Sequence, residues 1–266
     1  MLLLQAKERL ARAETHLEHV KTLLPRGDSF ANVSAYGRIE TQPDGKTHDV
    51  FVKVLEPSLE FRMGIGDVVH DLRTSLDYVA YQLAIRNGFP SSGRTPDQLR
   101  DLRKLNFLIH SDEHRFRSAA GNVKPIIGIG PVDAMERLQT YKGADTRAPS
   151  LFKLSELDNI TKHRMIAVVY QRLAHAEVEF VINEKHVARG RLLNPDRLPS
   201  EDGAKLFSFV FDQPPVKVDL SIDAVQEVVF TDTDGICDGE NVIGLLRECA
   251  TSTAGIINEF ERMFFS

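Results

Sequence analysis

The sequence predicts an α+β fold: a bundle of about four long helices with an antiparallel β-sheet packed on it. Three observations carry this. Four segments, about 1–24, 58–87, 149–172 and 240–265, space apolar residues at steps of three and four. Two regions, about 33–55 and 176–231, abandon that period for strand-like alternation. The 266 residues are 42% hydrophobic and 27% charged, an ordinary balance for a chain with a core. No linker separates two parts, so residues 1–266 read as one domain.

In the first segment Leu3, Ala6, Leu10, Ala13, Leu17, Val20 and Leu24 form one stripe, and Pro25 and Gly27 end it. Val33–Thr41 and Thr47–Leu55 flank Gln42-Pro-Asp-Gly-Lys46, turn chemistry between two strands. The second helix runs from about Ser58 to Asn87, with Gly88 as terminator and Ile65, Val68, Val69, Leu72, Leu76, Val79 and Leu83 as its core stripe. Thr95-Pro-Asp-Gln98 is a capping box with proline at the first helical position, so a short helix follows. Another follows Gly130-Pro131.

The next long helix places Leu151, Leu154, Leu157, Ile160, Met165 and Val168 on a broad arc. Val178, Phe180 and Ile182 then alternate with polar residues, and extended runs follow at 206–211, 216–222 and 225–231, for five to seven strands in all. Residues 194–203 read as an exposed loop. The last helix has Val242, Leu246, Cys249, Thr253, Ile256, Phe260 and Met263 on its stripe and Asp238 as its expected N-cap.

Composition removes several function classes. Cys237 and Cys249 are too few for a disulfide framework or a four-cysteine zinc site. The longest clean apolar run, Met165 to Tyr170, is too short to span a bilayer, and Leu2–Leu4 is followed at once by polar residues. The expectation is a cytoplasmic protein without a membrane partner. Net charge is −5 but unevenly spread. Residues 1–194 hold 28 Lys+Arg and 24 Asp+Glu, whereas residues 195–266 hold 5 and 14. Such asymmetry suits a polyanion-facing side and an acidic side that is solvated or faces a partner.

Several motifs fail on their own terms. Gly128-Ile-Gly130 lacks the third glycine of a dinucleotide fingerprint and the lysine of a P-loop. An EF-hand started at Asp232 would put Ile236 and Ile243 at ligand positions. No Gly-x-Ser-x-Gly elbow occurs. His110 and His114 are four apart, but no Glu stands beside the first, so the segment reads as a basic surface strip with Arg100, Arg103, Lys104, Arg115 and Arg117.

Two polar segments remain. In His70-Asp-Leu-Arg-Thr-Ser-Leu-Asp77, helical geometry puts His70, Arg73 and Asp77 on one stripe beside the apolar face. Such a group can be a phosphate clamp or acid/base site, or simply an Arg73–Asp77 pair that fixes helix packing. In Leu157-Asp-Asn-Ile-Thr-Lys-His-Arg164, Asn159 and His163 share the polar face while Asp158 and Arg164 fall on or beside the apolar arc. Buried charges want partners, and a bundle suggests crossed pairs Asp158–Arg73 and Arg164–Asp77. A metal site of His70, Asp77 and His163 lacks the Glu-x-x-His of carboxylate–histidine bundles.

The same two segments resemble an uncharacterised family of bacterial and phage-associated proteins, in which a similar helix is followed by an Asp-x-x-Lys-His-Arg helix; the likeness covers most of residues 58–172. More distantly, Asn159-Ile-Thr-Lys-His163 is similar to the HEPN superfamily signature. That signature's Asn and His match Asn159 and His163, while its arginine position is held by Asp158. The resemblance implies a HEPN-like RNA-binding protein or metal-independent endoribonuclease of phage-defence or toxin type, acting as a homodimer without cofactor or metal. His163, Asn159, Arg164 and Arg73 would then form the catalytic set, with His70, Asp77, Asp158 and Lys162 as binding groups. The other class is a non-catalytic helical binding or scaffold module with an acidic protein or unknown partner.

Overall fold

The first helix, α1 (Leu4–Thr22), buries Ala6, Ala13, Leu17 and Val20 along the expected stripe. Its partner is α2 (Leu59–Arg86), 28 residues long and started by Ser58, whose side chain accepts the Phe61 N–H. The two helices meet closely at Gly64, where a Cβ would lie 2.6 Å from the Val20 Cγ2. Each residue of the expected α2 stripe is buried. Helix α2 is central: it contacts α1, and also α4 (Glu113–Ile127), α6 (Ala148–His163) and α7 (Val242–Phe264). This computed structural model describes residues 3–23, 37–52, 57–164, 168–182, 185–192, 205–215 and 218–266. The readings of Leu24 to Gly27, of both outer strand ends near 33–36 and 53–55, of Met165 and of the 194–203 loop lie outside those residues.

Between α2 and α6 come α3 (Pro96–Leu102), with the expected Thr95–Gln98 capping box, α4, α5 (Ile129–Arg137) and a 3-10 turn at Thr140–Lys142. Seven α-helices thus occur among the described residues, where about four long and two short ones were expected. Helix α4 was hidden by its basic residues. Phe116, Val123, Ile126 and Ile127 are nevertheless its buried face, and the Asp112 side chain caps it by accepting the Arg115 N–H.

Helix α6 stops at His163 rather than near 172. Val168, Val169 and Tyr170 instead pair with Thr231, Phe230 and Val229. These β-branched and aromatic residues fit a pleated strand better than a helix. Nor do the described residues form one sheet of five to seven strands. Among the described residues, β1 (Gly37–Thr41), β2 (Thr47–Val52) and β5 (Lys205–Val210) form one antiparallel sheet, ordered β1-β2-β5. A second antiparallel sheet, ordered β4-β3-β6, holds β3 (Val168–Ile182), β4 (Lys185–Leu192) and β6 (Val218–Thr231). Strand β5 lies between β4 and β6 in sequence yet leaves their sheet to pair with β2.

The β1–β2 turn is closed by Asp44, whose Oδ1 accepts the Lys46 and Thr47 N–H groups at 2.8 Å. The end of β6 carries Val228 and Phe230 into the helical core, and Val229 bridges to Asn241. Asn241, not Asp238, caps α7 by accepting the Gly244 N–H. Asp238 instead accepts the N–H and hydroxyl of Thr233 and the N–H of Gly235, closing the acidic turn before the helix. On α7 the expected stripe is buried from Val242 to Phe260, and Met263 is exposed.

Candidate functional site

Arg73 sits mid-way along α2 and is 9% exposed. Its Nη2 donates to the Phe107 carbonyl at 2.8 Å, and it pairs with Asp77, one turn on, at 3.2 Å. Asp77 Oδ1 accepts the Phe107 N–H at 2.9 Å. The pair therefore grips both backbone groups of one residue, whose ring is buried against Phe260. Burial pushes the Asp77 carboxyl above its ordinary value, more than the Arg73 charge and the Phe107 N–H pull it down. After these contacts Arg73 Nη1 is buried and has no hydrogen-bond partner among the described residues. An unsatisfied buried guanidinium nitrogen is costly.

Asp158, on α6, is 1% exposed, as its place on the apolar arc requires. Its partners are His70 Nδ1 at 3.3 Å and Lys162, one turn along the same helix. The crossed pairs suggested for a bundle are absent: the Arg73–Asp77 pair, the other reading of the i,i+4 spacing, forms instead, and Asp158 takes His70 and Lys162. Arg164 is not on the apolar side either. The helix ends one residue earlier, Arg164 turns extended at φ −124°, and its half-exposed side chain reaches Asp234 at 2.9 Å and Asp232 at 3.9 Å. His163 and Asn159 are exposed, as expected. The metal alternative fails on position: among the described residues no three His, Cys, Asp or Glu side chains gather as a possible metal site.

Arg73, Asp77, Asp158, Asn159 and Lys162 all line one cavity of about 620 Å³. Helices α2 and α6 form part of its wall. The rest comes from Asn106, Phe107, Ile109 and His110 and from His114, Arg115, Ser118, Ala119 and Asn122 of α4. His163, Arg164 and His70 are not among its lining residues. The lining is strongly polar, with three fixed cations (Arg73, Arg115, Lys162) facing three acids (Asp77, Glu156, Asp158) and two imidazoles added. Two of the acids are already engaged: Asp77 by Arg73 and Phe107, Asp158 by Lys162 and His70.

The segment dismissed as a surface strip supplies much of this wall. The His110 N–H donates to the side-chain oxygen of buried Gln139 at 2.7 Å, and Gln139 in turn donates to the Leu108 and Met135 carbonyls. The His110 ring meets the Phe116 ring edge-on at 6.3 Å. Burial lowers the pKa of His110, with Arg115 and Arg73 adding to that and Asp112 opposing it. A signal for the helix was present in the sequence, because Phe116, Ala119, Ala120, Val123 and Ile127 have helical spacing, but that spacing puts His114 and Arg115 off the apolar stripe and gives no sign of the cavity.

No family model, curated protein or solved structure matches this chain. No helix among the described residues is long and apolar enough to cross a membrane.

Proposed function

We propose that this chain is a cytoplasmic RNA-binding protein of HEPN-like type whose cavity between α2, α4 and α6 takes the phosphate backbone of a single strand. The observation that carries the reading is the set of three cations that line the cavity, Arg73 with Lys162 and Arg115. A guanidinium held in place by Asp77 and Phe107 is a preorganised positive charge for a phosphate. Asn106, Asn122 and Asn159 add both donors and acceptors, which suit base edges and ribose hydroxyls. A protein partner would want a buried apolar or aromatic anchor site, and this polar lining offers little of one.

The test is fluorescence anisotropy with a labelled oligoribonucleotide at two salt concentrations. Wild type should bind, and Arg115→Ala and Lys162→Ala should each weaken binding and lower the salt slope by about one ion. Absence of binding, or binding by both variants as tight and as salt-dependent as wild type, leaves the non-catalytic scaffold as the better reading.

A ribonuclease centred on His163 is the second reading, and one observation favours it. Asn159 and His163 are exposed one turn apart, with Arg164 half-exposed beside them, an open polar edge of the kind a HEPN-like homodimer would close. Metal-free RNA cleavage that is lost in His163→Ala is its test.

A further inference from the structure

Most histidines whose side chains are described have an evident occupation. His16 faces buried Asp71, His19 faces Glu60, His70 faces Asp158, and His48 sits between Thr41 and two phenylalanine rings. His110 and His114 differ. Both line the cavity that holds Arg73, and among the described residues neither imidazole has a hydrogen-bond partner. The His110 backbone N–H is held by Gln139 and its ring meets the edge of Phe116, whereas His114 is an exposed side chain on the second residue of a helix capped by Asp112.

We propose that His110 and His114 are the proton-transfer pair of a metal-independent RNA-cleaving centre in this cavity, with Arg73 holding the scissile phosphate. The inference rests on the RNA reading of the same cavity and names where its chemistry lies, away from His163. In the step, the unprotonated His110 takes the proton of a ribose 2′-hydroxyl while the 2′-oxygen attacks phosphorus. The bond from phosphorus to the 5′-oxygen breaks, its electron pair stays on that oxygen, and protonated His114 supplies the proton it needs. The products are a 2′,3′-cyclic phosphate and a 5′-hydroxyl, and no other reactant enters. The fixed charge of the Arg73 guanidinium favours the non-bridging oxygens as their charge grows, which is where a preorganised cation helps most.

The assignment of His110 as the base follows from its surroundings. His110 is half-buried, with Arg73 and Arg115 disfavouring its protonated form and Asp112 favouring it. His114 is exposed on α4. Asp77, Glu156, Asp158 and Lys162 face the same space from α2 and α6.

The experiment uses the full chain, a 5′-labelled oligoribonucleotide with EDTA present, and a 2′-deoxy version that cannot be cleaved. Wild type should leave cyclic phosphate ends with a bell-shaped pH–rate profile. His110→Gln and His114→Gln should each lose on the order of 100-fold or more in rate. Affinity for the deoxy strand should stay within about twofold, since the loss falls on the transition state. His19→Gln, a control on α1, should cleave like wild type. If half-buried His110 proves necessary for folding, exposed His114 still carries the test. Binding without cleavage, cleavage retained by both Gln variants, or cleavage lost only in His163→Ala overturns this inference and leaves RNA binding standing. Failure to bind either strand overturns the RNA reading itself.

Discussion

Asp158 is the residue whose surroundings say most about cost. Its carboxylate is buried, but both of its partners, His70 and Lys162, have about half or more of their side chains exposed. Removing the acid strands no cation inside the protein, because each partner can turn to water. Asp158→Ala should therefore destabilise by about 1–3 kcal/mol, the scale of a lost charge-assisted hydrogen bond. Arg164→Ala should change stability by less than about 1 kcal/mol, since its ion pairs with Asp232 and Asp234 are exposed. Paired thermal melts check this, and equal shifts for the two variants would count against it.

Asp77 makes a pH prediction at the same scale. Its folded-state pKa is raised above the ordinary 3.8. The native state thus holds that proton more tightly than the unfolded chain does. The resulting stability is full below the ordinary value and is lost as pH rises through the raised one. Asp77→Asn lacks this proton, so its melting temperature relative to wild type should climb as pH goes from about 4 toward neutrality. The carboxylate is 36% exposed, so solvent screening keeps the effect modest. A difference that is flat or falls across a pH series of melts would refute it.

At the scale of elements, the contact between α1 and α2 is set by two devices. One is steric: Gly64 lets the helices approach until Val20 lies where a side chain would be. Gly64→Ala gains helix propensity of roughly 1 kcal/mol but must push Val20 aside, and overpacking costs typically 1–3 kcal/mol. The expected outcome is a net loss of stability, relieved in Gly64→Ala/Val20→Ala relative to what the two single changes predict by addition. Additive denaturation midpoints would show that the close approach is not the cause. The other device is electrostatic: buried Asp71 of α2 receives Arg9 at 2.8 Å, Arg12 at 3.1 Å and His16 at 3.4 Å from successive turns of α1. That clamp fixes the rotation of α1 as well as its position. Element starts were legible where the chemistry is local, as in the Thr95–Gln98 box and the Asp44 turn. They were not legible at the end of α6, because the run from Met165 to Tyr170 is apolar throughout and fits either period.

For the whole molecule, α1 and α7 close the helical core together. Lys7 pairs with Glu261 across 254 residues, and Leu3, Leu17 and Val20 join the same buried cluster as Leu246 and Phe260. Burial of each large side chain stabilises by roughly 1.5–3 kcal/mol. The α1 residues together then approach the 5–15 kcal/mol that holds a typical domain folded. Deleting residues 1–22 should abolish the cooperative melt; a truncated chain with a sharp transition at an unchanged temperature would overturn this.

What the sequence determined by itself is the set of amphipathic surfaces. Apolar spacing located α1, α2 and α7 and put Asp158 inside and Asn159 and His163 outside, because side-chain direction within a helix depends only on position along it. Which charge meets which was decided by the tertiary structure. Arg73 could turn to Asp77 or to Asp158, and only the placement of Phe107 beside α2 selects the first. Likewise His110 and His114 read as solvated until α4 packs across α2 and makes them one wall of a cavity. A cavity is the gap between elements, and its lining depends on crossing angles and loop paths that no local periodicity encodes.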